Sequence, residues 1–262
     1  MEDVVVLIVG AGPVGLATAA CLAQRHVPYI IVERESSTAS LWRHRAYDRL
    51  KLHLAKEFCE LPHMAYPAGT PTYHTAVESA IYDRGKNQWV VLVRDMDTSV
   101  VARLATQFLV VATGENSAAS IPPIPGLSRF EGEAIHSSAY KSGEPIPEEC
   151  ACGTHNDQRT NMVFQGISKI NTNSIEFHGG RQNSFDAIVF ATGYKSTVNA
   201  WLKNGESMFK DDGFPKNYFP NHWRGENGLY CAGFARRGLA GIAMDAKNIA
   251  NDIVAAMDKM SC

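Results

Sequence analysis

No uninterrupted apolar run in this 262-residue sequence is long enough to cross a bilayer. Glycosylation acceptors of the Asn-x-Ser/Thr type do not occur, so nothing points to secretion. Neither sign of charge dominates: 25 Lys and Arg face 27 Asp and Glu, and the footprint of a nucleic-acid or anionic-membrane binder is missing. Cysteine is sparse, and Cys21, Cys59, Cys150, Cys152, Cys231 and Cys262 are spread too widely to read as a disulfide framework. No Ser-His-Asp arrangement or P-loop signature competes as a catalytic centre. These absences lead us to expect a cytoplasmic protein with no membrane span and no nucleic-acid partner.

What is present is ordinary for a globular chain: 45% hydrophobic and 20% charged residues, enough for one large domain or two small ones. The apolar stretches Val4–Val9 and Leu16–Leu22 could pass for a signal peptide. Glu2 and Asp3 make the start acidic, however, and three glycines split the run, so a strand, a glycine turn and a helix fit better. Val4–Val9, Tyr29–Val32, Leu109–Ala112 and Ile188–Ala191 read as short buried strands. The last two end alike, in Ala112-Thr113-Gly114 and Ala191-Thr192-Gly193. Trp89–Arg94 and Ile175–Phe177 read as antiparallel strands. Val14–Arg25 and Ile242–Met257 repeat apolar residues at helical spacing. Strands alternating with helices predict an α/β architecture. Residues 144–160 are polar, proline-interrupted and aperiodic, which predicts a loop of unusual length.

Gly10-Ala11-Gly12-Pro13-Val14-Gly15 fits G-x-G-x-x-G in its proper setting, with a strand before it, a helix after it, and a second strand ending at Glu33-Arg34. Gly10 permits the tight turn, Gly12 lets backbone approach a pyrophosphate, and Gly15 lets helix and strand pack closely. The anion would rest on the helix N-terminus. Glu33 stands where an acid accepts hydrogen bonds from a ribose diol, and its charge would repel a 2′-phosphate. The turn therefore suits FAD or NAD rather than NADP; the plainer alternative is a glycine turn that holds no ligand.

Several further motifs are shared with one family. Ala39-Ser40-Leu41-Trp42 and Tyr47-Asp48-Arg49-Leu50-Lys51-Leu52-His53-Leu54 resemble the plant YUCCA-type flavin-containing monooxygenases. So do Phe58-Cys59-Glu60-Leu61-Pro62, Val111 to Asn116, Phe185 to Ser196 and Gly228 to Phe234 with Arg237-Gly238-Leu239. Phe130-x-Gly132-x-x-x-His136-x-x-x-Tyr140 fits the flavin monooxygenase signature. The resemblance implies a Rossmann-like three-layer FAD-binding domain in which NADPH reduces FAD and the reduced flavin activates O2. It implies indole-3-pyruvate as the small-molecule substrate, converted by oxidative decarboxylation to the auxin indole-3-acetate. By the same analogy Leu41 and Trp42 lie along the FAD. His53 is either a polar group near the flavin C4a or a satisfied surface histidine, and His136 is a structural pin.

The family carries a second G-x-G-x-x-G soon after a Lys-Ser-Gly, where NADPH docks. Here Lys141-Ser142-Gly143 is present and no glycine fingerprint follows. We therefore expect a first part of the FAD domain over 1–143, a loop replacing the NADPH module over 144–172, and a return segment over 173–262. A smaller gap is expected around 74–85. Cys150-x-Cys152-x-x-His155 lacks the second ligand pair of a structural zinc site, and we expect no metal. The readings left open are a YUCCA-type monooxygenase, a non-catalytic FAD-binding or interaction protein, an NAD-dependent oxidoreductase, and a fragment that folds poorly.

Overall fold

The computed structural model describes residues 2–44, 61–63, 72–139 and 162–260. They form two compact units: one holds the described residues before 119 and after 193, the other those within 119–193. His53, Arg45, Arg49, Cys59, Cys150, Cys152 and His155, and the loop expected over 144–160, lie outside the described residues.

The first unit begins with β1 (Glu2–Val9), α1 (Pro13–Ala23), β2 (Tyr29–Glu33), the short α2 (Ser40–His44), β3 (Thr72–Asp83), β4 (Gln88–Asp95) and β5 (Val101–Val111). The β-branched run of β1 lies between parallel β2 and parallel β5, as its unbroken hydrophobicity predicts. Alternation then sorts its side chains. Val6 and Ile8 face the core shared with α1, while Leu7 and Val9 face a second core that includes Trp89 and Val91 of β4. α1 opens with Pro13, whose missing N–H is no loss at a helix start. It ends two residues earlier than its apolar spacing suggests, where the chain turns through His26 at φ +56°.

β5 does two jobs along its length. Val101–Thr106 pair antiparallel with β4, and Leu104–Val111 pair parallel with β1. β3, a twelve-residue strand, spans most of the stretch around which a gap in family sequence is expected. Its polar residues and a register shift between Val77 and Ser79 break the period-two pattern that would have revealed it.

The second unit is entered after β6 (Ala118–Ala119) and contains β7 (Glu133–His136), β8 (Ile167–Ile170), β9 (Ser174–Phe177), β10 (Gln182–Ser184) and β11 (Ala187–Phe190). β8, β9 and β10 form an antiparallel meander, and β7 pairs parallel with β11. β8 lies inside the stretch expected to be loop over 144–172. The meander has its own small core of Ile170, Ile175, Phe177, Ile188 and Phe190, with Phe164 stacked on Phe177 at 4.4 Å. His136 is buried here. Its Nε2 lies 2.9 Å from the Gly193 carbonyl, which can only accept, so the proton sits on Nε2, and Nδ1 accepts the Ser138 N–H. That arrangement is a structural pin.

The chain re-enters the first unit through β12 (Tyr194–Lys195), α3 (Val198–Trp201), β13 (Leu229–Cys231) and the long α4 (Gly238–Met260). β13 adds to β5 at Leu109–Val111, beyond the point where β4 has left it. α4 packs Ala246, Ile249, Ala250 and Ile253 into the core beside α1. Among the described residues no helix is long and apolar enough to cross a membrane.

One buried group gives this unit a pH signature. Tyr230 donates its hydroxyl to Asp252 Oδ2 at 2.8 Å, under a Trp223 ring stacked at 6.3 Å. Burial first, and the Asp252 hydrogen bond second, raise its phenol well above the ordinary range. The unfolded phenol ionises near pH 10 while the folded one stays neutral, so stability present below about pH 10 is lost as pH rises further. Melting curves between about pH 9 and 11 should fall more steeply for the parent than for Tyr230→Phe; equal slopes would refute the coupling.

Candidate functional site

Backbone geometry explains why glycine occupies the first and third fingerprint positions. Gly10 adopts φ +109°, donates its N–H to the Val32 carbonyl at 2.8 Å, and has no room for a side chain: a Cβ would lie 2.6 Å from the Ala112 oxygen. At Gly15 a Cβ would come within 1.9 Å of the Gly10 oxygen, so the helix can approach the turn only without one. Gly12 differs. Its φ of −72° suits any residue, and a Cβ there would meet nothing within 4 Å. Gly12 opens onto a cleft.

That cleft, about 370 Å³, lies within the first unit. Gly10, Gly12, Pro13 and Val14 form one side, and Glu33, Arg34 and Leu41 line it as well. Ala11 and Gly15 are not in the lining; Ala11 is buried, and Gly15 shapes the turn instead. Leu41 is half exposed, and Arg34 is an exposed residue paired with Glu35 at 3.3 Å. The side chain of Trp42 lies outside what the structure describes. The first N–H groups of α1 have no intrahelical acceptor, because the first such bond is Leu16 N–H to the Gly12 carbonyl at 3.1 Å. No acidic side chain sits in that first turn, which leaves the positive end of the helix uncompensated.

Glu33 is already engaged. Its Oε2 accepts the Ala11 N–H at 2.7 Å and its Oε1 the Glu35 N–H at 3.0 Å. One carboxylate thus ties the end of β2 to the glycine turn. Each oxygen can accept a second hydrogen bond, so capacity for two neighbouring hydroxyls remains. Thr113, at the Ala-Thr-Gly end of β5, lines the same cleft, and its buried Oγ1 has no hydrogen-bond partner among the described residues.

Sequence reasoning missed a polar group behind this cleft. Asp245 on α4 is buried, accepts the N–H of cleft-lining Gly233 on Oδ2 at 2.9 Å, and lies 3.1 Å from Nε2 of the equally buried His222. The Nδ1 of His222 has no partner among the described residues. The available signal was Asp245 itself, an acid four residues before Ile249 on the apolar stripe of α4. Burial first, and the Asp245 charge second, push the neighbouring Cys231 thiol well up.

A family model described as "FAD binding domain" matches residues 3–52, which hold the glycine turn and Glu33. The probable indole-3-pyruvate monooxygenase YUCCA10 of Arabidopsis thaliana is 34% identical, the match covering 96% of this chain and 97% of that protein. The indole-3-pyruvate monooxygenase YUCCA1 of Oryza sativa subsp. japonica is 32% identical, over 94% of this chain and 90% of its own. The chain belongs to the YUCCA family of flavin monooxygenases. A flavin-containing monooxygenase from Stenotrophomonas maltophilia shares the fold, with a TM-score of 0.77 and 16% identity over 98% of this chain and 100% of that one.

FAD is the cofactor of the YUCCA monooxygenases, and the cleft fits it on three counts. Gly12 leaves backbone open to a phosphate, the α1 N-terminus is uncompensated, and Thr113 Oγ1 is an orphaned hydrogen-bonding group. The YUCCA family match also carries a discrepancy of length. The alignment to YUCCA10 runs over 372 residues and this chain has 262, so more than a hundred positions of that relative have no counterpart here.

Proposed function

We propose that this chain binds FAD in the cleft of its first unit and oxygenates a 2-oxo acid, indole-3-pyruvate, to the acid one carbon shorter, indole-3-acetate. The observation that carries the reading is the open Gly12 face beside the uncompensated N-terminus of α1. When bound, FAD supplies the redox chemistry that activates O2. The chain's own residues do the rest. The N–H groups at Gly12, Val14 and Gly15 bind the pyrophosphate, and Gly10 holds the turn that presents them. Glu33 accepts the ribose hydroxyls while keeping the turn tied to β2. Pro13, Arg34 and Leu41 complete the walls, Thr113 Oγ1 donates to the cofactor, and the family resemblance adds Trp42 along the FAD and His53 at the reacting centre. The substrate is read from the names of the relatives.

A single-turnover experiment tests this directly. The FAD-loaded chain is reduced anaerobically with dithionite, then mixed with oxygenated buffer, indole-3-pyruvate and catalase. Each turnover consumes one O2 and the two electrons held on the flavin; the products are indole-3-acetate, CO2 and water. We expect up to one equivalent of indole-3-acetate per bound flavin. Catalase removes free hydrogen peroxide, which decarboxylates 2-oxo acids unaided. Flavin reoxidation with no indole-3-acetate would overturn the oxygenase reading and leave an FAD-binding protein without that activity.

A further inference from the structure

A dinucleotide cradle of the kind found in the first unit needs three parts in order: a parallel strand, a glycine turn, and a helix whose N-terminal N–H groups face the phosphates. The second unit repeats only the strand that normally lies alongside. β5 and β11 are each followed by the same Ala-Thr-Gly, yet their surroundings differ. At β5, Ala112 is buried, donates its N–H to the Val9 carbonyl at 2.9 Å, and sits under Gly10 and Gly15. At β11, Ala191 to Lys195 are exposed, and the strand's partner among the described residues is β7 alone. Thr192 donates its hydroxyl to the Ser120 carbonyl, and the Gly193 carbonyl is taken by His136, so the backbone beyond β11 is committed locally.

Four further glycines of the second unit are committed as well. Gly179 and Gly180, at φ +94° and +82°, make the turn between β9 and β10. A Cβ at Gly126 would strike the Ile170 oxygen at 1.9 Å, and one at Gly132 the Asp186 oxygen at 2.3 Å, so both serve packing. Among the described residues of this unit there is no α-helix. Residues 140–161, outside the described set, hold only Gly143 and Gly153, which cannot form G-x-G-x-x-G in any conformation. The first unit does not substitute for the missing cradle. Its ribose position is held by the Glu33 carboxylate, which opposes a 2′-phosphate.

We infer that this chain carries one dinucleotide site rather than two: it holds FAD and does not hold NADPH. The residues that a nicotinamide dinucleotide would need are not there, and more than a hundred positions of YUCCA10 have no counterpart here. Docked hydride donors gain an effective molarity on the order of 10⁵ M or more from positioning. Without that, NADPH meets the flavin only by random encounter.

The test is a titration of the purified, FAD-loaded chain with NADPH under argon, reading nicotinamide fluorescence for binding and flavin absorbance for reduction. A cooperative melt on the same sample establishes that it is folded. We expect no saturable fluorescence change up to about 1 mM NADPH, the upper end of ordinary Michaelis constants. Flavin bleaching should be slow, linear in NADPH and equal with NADH, while dithionite bleaches at once. Saturable binding of NADPH, displaced by 2′,5′-ADP, would overturn the inference. The fluorescence reading needs no flavin, so a chain that fails to retain FAD still answers it. Missing flavin absorbance would count against FAD binding, both here and in the proposed function, while the NADPH result stands by itself.

Discussion

A Gly12→Val variant should fold as the parent does and lose its flavin, whereas Gly15→Val should lose its fold. The two substitutions add the same side chain three residues apart, and the opposite outcomes follow from where each Cβ points. At Gly12 it enters the open cleft with φ at −72°, so the native state carries no strain. Its methyls then occupy the volume where phosphate would meet backbone N–H groups. Loss of the positioned N–H contacts and of close approach should weaken FAD binding by at least about 100-fold, near 3 kcal/mol. At Gly15 the Cβ would sit 1.9 Å from the Gly10 oxygen, and backbone must move to relieve it. Overpacking of that kind costs about 3 kcal/mol or more in stability. Flavin content after gel filtration and urea midpoints of both variants decide the matter. Full flavin occupancy in Gly12→Val would remove the cradle from the cleft; an unchanged midpoint in Gly15→Val would show that the turn can relax.

Asp245→Ala should be the most destabilising truncation behind the cleft. Two buried donors, the Gly233 N–H and the His222 ring, converge on one carboxylate, and alanine strands both. Unsatisfied buried polar groups cost about 1–3 kcal/mol each, so a loss of roughly 2–5 kcal/mol is expected in chemical denaturation. Asp245→Asn keeps an oxygen for the Gly233 N–H and can accommodate His222 through its amide, so it should recover about half of the loss. Gly233 lines the cleft, and flavin retention should follow the same order. Equal midpoints for parent and Asp245→Ala would mean that the buried pair contributes nothing to the fold.

How legible each part was depended on the distance over which its cause acts. The strand, glycine turn, helix and acid ending at Glu33 lie within 33 residues, and local periodicity plus the glycine spacing describe them almost completely. Even the Ala11–Glu33 contact is implicit in that spacing, although the spacing assigns the carboxylate to a ribose and does not reveal that it also ties down the turn. β3 was hidden by a bulge that desynchronises its alternation. The Asp245 network was hidden because His222, Gly233 and Asp245 are each unremarkable alone and meet only through tertiary packing. The shared pairing of β5 was hidden because its parallel partners β1 and β13 lie some two hundred residues apart along the chain.

That pairing of β13 with β5 has an entropic consequence. To form it, the chain must close a loop that runs from Val111 to Leu229 and contains the whole second unit. Closure entropy grows only with the logarithm of loop length, at about 0.6 kcal/mol for each doubling. Inserting a further hundred residues into that loop, or removing them, would therefore alter the stability of the first unit by less than a single good hydrogen bond. The FAD-type unit is a tolerant host for whatever module its loop carries.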